Sequence, residues 1–161
     1  MNSTIESVKR GVLYLVWGKA KDHYLNRSIT SLQKYHPELP VHVEKLPEGS
    51  NLLEETRIAS FTPFESTLFL DIDTVVLGRL GFGFQKAEEF GLACCICECP
   101  WANRYGDPRL RGGIIEYNTG VLFFFEKSNR VLSNWNRNAN EVDSSITHIV
   151  NGKLAVMPEN D

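Results

Sequence analysis

Apolar residues in this chain come in two patterns, unbroken runs and runs with helical spacing, and the two alternate. Gly11-Val12-Leu13-Tyr14-Leu15-Val16-Trp17 has no polar break before Gly18, the pattern of a strand covered on both faces. Tyr24-Leu25, Ile29, Leu32 and Tyr35 then recur at helical spacing until Pro37 closes the segment. Pro40 to Glu44 predicts a short second strand, Leu52 through Phe61 and Phe64 a helix, and Thr67 to Leu70 a third strand. Thr74 to Leu77 is expected to continue extended until turns at Gly78, Gly81 and Gly83. A short helix over Gln85–Phe90 leads to a strand over Leu92–Cys97, and Pro100 to Gly113 is a loop. Tyr117 to Phe125 is a long apolar strand, Ser128 caps a helix reaching roughly to His148, and Leu154 to Met157 makes a last strand. The βαβαβ opening predicts an α/β protein, a doubly wound, mostly parallel sheet with helices on both faces.

Composition narrows the function classes. With 161 residues, 42% of them hydrophobic, the chain is expected to be one globular domain over 1–161. Its net charge of −3 argues against nucleic acid or an anionic membrane as the main partner, since both reward a basic face. No apolar stretch approaches a bilayer span and residues 1–11 hold no signal-peptide core, so the expected location is cytoplasmic. Four cysteines crowd into Cys94-Cys95-Ile96-Cys97-Glu98-Cys99. A stapling disulfide framework joins distant segments, and structural zinc wants a second ligand pair elsewhere. Buried thiols on a core strand are the expected reading, with zinc on Cys95, Cys97 and Cys99 the alternative.

The chemistry is expected at Asp71-Ile72-Asp73, where the apolar run Thr67–Leu70 ends. In an extended segment residues i and i+2 share a face, so both carboxylates could converge on one ligand. In open α/β sheets ligands collect beyond the carboxyl ends of the strands. Two hard oxygen donors there suit Mg²⁺ or Mn²⁺, which shares its remaining shell with phosphate oxygens and water. Asn118-Thr119-Gly120 opens the later strand; its glycine would let a ligand approach the backbone and its amide could bind hydroxyls or phosphate. An ordinary turn feeding a strand is the competing reading. Arg57, ahead of the acidic strand, could reach a diphosphate or lie on a solvated helix face. Arg104, Arg109 and Arg111, beside Gly112 and Gly113, form a basic loop, and the Gly78–Gly83 cluster lacks the phosphate-loop Lys-Ser/Thr.

Together these segments resemble nucleotide-sugar glycosyltransferases of the GT-A type, in the glycogenin- and galactosyltransferase-like family, over about residues 11 to 125. The resemblance rests on the strand ending at Trp17-Gly18, on Thr56-Arg57, on Leu68 to Val76 and on Tyr117 to Leu122. It implies that Asp71 and Asp73 hold Mn²⁺ or Mg²⁺ on the diphosphate of a nucleotide-sugar donor, UDP-sugar favoured, with Asp73 the stronger ligand. It implies that Val16, Trp17 and Gly18 face base and ribose, and that Arg57 lies near the diphosphate or donor sugar. Asp71, Ile72 and Asp73 with Asn118, Thr119 and Gly120 would line the donor pocket, and the catalytic set would be Asp71, Asp73 and Asn118. The acceptor is not implied.

Relatives usually continue past a strand like Leu154–Met157 into an acidic-Gln motif and a later His that completes the metal shell. This sequence stops at Pro158-Glu159-Asn160-Asp161, and His148 precedes that strand. The expectation is therefore weaker donor binding with slow transfer or residual hydrolysis. Two alternatives remain open at this point. One is a degenerate nucleotide-sugar-binding module without transfer activity. The other is a haloacid-dehalogenase-like phosphatase, in which Asp71 would be the nucleophile and Asp73 the acid/base. That motif normally leaves the first strand and is followed by a Lys and a second acidic pair.

Overall fold

The computed structural model describes residues 9–18, 22–96 and 117–146. Its elements follow the alternation of the sequence. They are β1 (Arg10–Val16), α1 (Asp22–Tyr35), β2 (Val41–Lys45), a 3-10 turn (Leu52–Arg57) running into α2 (Ile58–Phe61), and β3 (Ser66–Leu70). Then come α3 (Gly81–Phe90), β4 (Leu92–Ile96), β5 (Tyr117–Phe125), a second 3-10 turn (Glu126–Ser128) and α4 (Asn129–Ile146). The strands form one sheet in the order β2-β1-β3-β5-β4. β2, β1 and β3 are parallel, β5 is antiparallel to β3, and β4, antiparallel to β5, runs in the sense of β3. The sheet is thus mostly parallel, with one reversed strand.

The unbroken apolar runs are explained by cover on both faces. Val12, Tyr14, Leu68 and Leu70 pack on one face with Leu32 of α1 and Phe84 and Ala87 of α3. Leu13, Leu15 and Phe69 pack on the other with Ile58 of α2 and Leu132 of α4. All five residues of β3 are buried, and each large side chain so removed from water contributes roughly 1.5–3 kcal/mol. The only long-range ion pair among the described residues, Arg10 Nε and Nη2 to the two Glu88 oxygens at 2.7 Å each, clamps α3 to β1. No helix among the described residues is long and apolar enough to cross a membrane.

Four sequence expectations need correction. Thr74–Leu77 is not a strand: the Thr74 N–H and hydroxyl turn back to the Asp71 carbonyl, and the Val76 N–H goes to Ser31 Oγ of α1 instead of a ladder. Gly81 and Gly83 do not make turns but open α3, four residues earlier than expected. At Gly83 a Cβ would collide with the Phe123 ring, so the glycine permits close packing of α3 on β5. Ser128 does not accept from the helix it precedes; its hydroxyl donates to Phe125 O at 2.7 Å. Finally, β4 is an edge strand, so Cys94 is only partly buried and Cys95 is exposed, both as free thiols. Cys97, Cys99, the Pro100–Gly113 loop with its arginines, His148 and the Leu154–Met157 strand lie outside the described residues.

Candidate functional site

β1 pairs with β2 on one side and with β3 on the other, so the chain reverses its winding direction at β1. Parallel neighbours splay their exits at such a switch point and leave a crevice beyond their carboxyl ends. A cleft of about 220 Å³ lies there. Its walls are Val16 and Trp17 leaving β1, Leu52 and Glu55 of the first 3-10 turn, and Asp71, Ile72 and Asp73 leaving β3.

The acidic segment is a turn, not the extended strand that the i, i+2 argument assumed. The Thr74 N–H donates to Asp71 O at 3.2 Å and the Thr74 hydroxyl to the same carbonyl at 2.7 Å. Asp71 is half-buried and Asp73 exposed, yet both side chains line the cleft. A hydroxyl chain anchors the turn from below: Tyr14 Oη to Ser28 Oγ at 2.9 Å, and Ser28 Oγ to Thr74 Oγ1 at 3.1 Å. Tyr14 and Ser28 are fully buried, which makes these polar partners costly to lose. Arg27 Nη2 adds a bond to the Asp73 carbonyl at 3.2 Å.

Concentrated negative charge sets the electrostatics. Burial, then the charge of Asp73, pushes the Asp71 carboxyl up to about 6. Burial, then the charge of Asp71, pushes Glu55 up to about 7. A cation would relieve this crowding. Among the described residues no three His, Cys, Asp or Glu gather into a complete metal-ligand group. Asp71 and Asp73 instead offer the small set of hard oxygens that suits Mg²⁺ or Mn²⁺ when phosphate and water supply the rest. The donor set fits the ion the resemblance implies.

β5 brings the Asn118 segment alongside. The Asp71 N–H donates to Gly120 O at 2.9 Å, extending the β3–β5 ladder into the acidic turn. Against β4 the register jumps, Cys94 facing Leu122 but Cys95 facing Asn118, so residues 119–121 bulge from that pairing. Asn118 Oδ1 accepts from the Gly120 N–H at 2.8 Å, which occupies the amide oxygen locally. A Cβ at Gly120 would collide with the Asp71 carboxylate, so the glycine leaves room for that side chain. Asn118 and Thr119 are exposed and do not line the cleft.

The remaining expected residues divide. Val16 and Trp17 line the cleft; Gly18 follows with φ +62°, a conformation that favours glycine, and is exposed. Arg57 is not brought in: Nη1 pairs with Glu54 Oε2 at 2.8 Å, and the guanidinium rests over the Phe61 ring. Its turn instead presents Glu55, which sequence reasoning missed. The available signal was spacing, since residues three apart eclipse in a 3-10 turn and Leu52 and Glu55 therefore face one way.

No protein-family model matches the chain, and no curated protein matches it. Its fold is similar to solved glycosyltransferase structures. The glycosyltransferase GlyE of Streptococcus pneumoniae TIGR4 superposes with a TM-score of 0.61 at 16% identity, over 91% of this chain and 42% of GlyE. The galactosyltransferase LgtC, in complex with donor and acceptor sugar analogues, superposes with a TM-score of 0.53 at 15% identity, over 82% of this chain and 66% of LgtC. The chain has the GT-A glycosyltransferase fold. It spans less than half of GlyE and about two thirds of LgtC.

Proposed function

We propose that the protein binds a nucleoside-diphosphate sugar in the β1/β3 cleft and transfers the sugar to an acceptor hydroxyl. The observation that carries this reading is the Asp71-Ile72-Asp73 turn at the switch point of a glycosyltransferase fold. Asp71 and Asp73 would hold Mn²⁺ or Mg²⁺ against the diphosphate. Bound there, the ion supplies Lewis-acid neutralisation of charge growing on the departing diphosphate. The protein's own part is positioning. Trp17 and Leu52 offer apolar surface for a base, the Tyr14–Ser28–Thr74 chain fixes the turn, and Gly120 keeps its space clear. UDP is the favoured nucleotide on resemblance, and LgtC lends support as a structural neighbour captured with donor and acceptor sugar analogues.

The phosphatase alternative has less support. Asp71 leaves the third strand in chain order, and the further cleft carboxylate, Glu55, precedes it in place of a downstream acidic pair. The reading is tested by calorimetry with UDP in Mn²⁺ and in EDTA. Binding should be at least about tenfold tighter with Mn²⁺, a difference of ~1.4 kcal/mol, and Asp73→Asn should erase the difference while leaving the circular dichroism spectrum unchanged. Equal affinity in both buffers would sink the metal-dependent site.

A further inference from the structure

Glu55 stands out in its 3-10 turn because the other polar side chains of that segment are partnered and its carboxylate is not. Glu54 pairs with Arg57 at 2.8 Å. The Thr56 hydroxyl donates to Leu53 O and accepts from Asn136 Nδ2 of α4, both at 2.6 Å. Asn51 Oδ1 caps the turn by accepting from the Leu53 N–H at 2.9 Å. The backbone carrying Glu55 is therefore fixed on both sides, and its carboxylate is presented to the cleft with no protein hydrogen bond or ion pair among the described residues. A half-buried carboxylate beside a second one is unfavourable unless a ligand brings donors to it.

What kind of donor follows from the groups that share the cleft. Leu52, one 3-10 turn before Glu55, and Trp17 are apolar; Asp71 and then Asp73 form the acidic end. Glu55 lines the same cleft as apolar Leu52 and Trp17 and as the acidic turn of Asp71 and Asp73, so a ligand that spans the two must pass its carboxylate. A diphosphate would be repelled by this carboxylate. A pair of adjacent hydroxyls would not, because a carboxylate's two oxygens accept from both at once. We propose that Glu55 is a specificity residue of the cleft that accepts hydrogen bonds from a vicinal diol of the bound nucleotide sugar. The diol is that of the ribose or that of the transferred sugar. This assignment rests on the function proposed above and extends it to a residue outside the acidic turn.

The test is calorimetry in Mn²⁺ with UDP, ADP, GDP and CDP, with their 2′-deoxy forms, and with UDP-glucose. It uses the intact chain as wild type, Glu55→Ala and Glu55→Gln, with near-ultraviolet circular dichroism confirming native packing. If the ribose diol is read, the wild type binds the best ribonucleotide about tenfold more tightly than its 2′-deoxy form, and both variants lose that ratio; hydrogen bonds to charged groups are worth roughly 1.5–3 kcal/mol. If the sugar diol is read, the ribo/deoxy ratio is near one, and the variants lose about tenfold in affinity for UDP-glucose and little for UDP. Variants that keep both the ratio and the UDP-glucose affinity of the wild type overturn the Glu55 assignment and leave the donor site standing. Absence of binding to every nucleotide by the wild type would remove the proposed function and the assignment together.

Discussion

At Asp71 and Glu55 burial raises both carboxyls, to about 6 and about 7, with the charge of Asp73 adding to the effect at Asp71 and that of Asp71 at Glu55. The sign of the pH effect follows. An acid whose native value lies above its unfolded value, near 4, keeps its proton longer in the folded state. Its contribution to stability is full below about pH 4 and declines as pH rises toward 7. In EDTA, urea unfolding should show stability falling across that window. The loss should be about 1 kcal/mol per carboxylate once solvent at the open cleft is allowed for. Glu55→Gln should flatten the profile and be the more stable protein at pH 7.5; a variant less stable there would contradict this account. A carboxylate kept at a cost to stability fits a group held for binding. Gly120 makes a second residue-scale case. Gly120→Ala would push a methyl against the Asp71 carboxylate, with Asn118 Oδ1 at 3.3 Å. Mn²⁺-supported UDP affinity should drop about tenfold or more, with a stability loss of about 1–3 kcal/mol. Unchanged affinity would mean that the Asp71 rotamer in this structure is not the binding one.

The elements act on the site through a few polar ties rather than through apolar packing alone. α1 and His36 directly after it hold the segment after β3 by three of them. Ser28 meets Thr74, Ser31 Oγ accepts from the Val76 N–H at 2.8 Å, and buried His36 Nε2 accepts from the Leu80 N–H at 2.8 Å. The last bond requires an unprotonated Nε2, leaving Nδ1–H to donate to Glu38 at 2.9 Å. Thr74→Val keeps the shape of the side chain while deleting the hydroxyl that joins Ser28 to the Asp71 carbonyl. Destabilisation of about 1–2 kcal/mol is expected, with weaker UDP binding in Mn²⁺. Thr74→Ser should restore both. Loss of stability without loss of affinity would show that the network supports α1 and not the acidic turn.

On the scale of the whole molecule, the scaffold and the site can be separated. α3 packs on β5, with the Phe84 and Phe123 rings edge to face at 5.2 Å and Gly83 against Phe123. Gly83→Val should force that contact apart and cost about 1–3 kcal/mol. A thermal melt would read this as a lowered Tm. Nucleotide affinity measured well below the melt should be unchanged, because no residue of α3 is among those that line the cleft. A parallel fall in affinity would mean that the sheet transmits the distortion to the β3 exit.

Several parts of this protein were legible from residue order. The both-face burial of β1 and β3 could be read from Val12–Val16 and Thr67–Leu70, since a run without polar breaks has no face to offer water. The α1 spacing, the β5 limits and the place of Asp71-Ile72-Asp73 at the end of a buried strand were readable for the same local reason. Other features depended on partners distant in sequence. The Asp71–Thr74 turn replaced an extended strand because Ser28 and Ser31 of α1 offered better hydrogen bonds than a ladder could. Cys95 is exposed because β4 took the sheet edge, which the strand's composition does not encode. Arg57 left the cleft and Glu55 entered it because a 3-10 turn advances 120° per residue, where an α-helix advances 100°. The sequence by itself determined which segments must be buried and where carboxylates leave the sheet, because burial and period are local properties of the chain. Only the tertiary structure decided which side chains share the cleft, because that depends on turns and hydrogen-bond partners contributed from as far apart as β1, the 3-10 turn and β5.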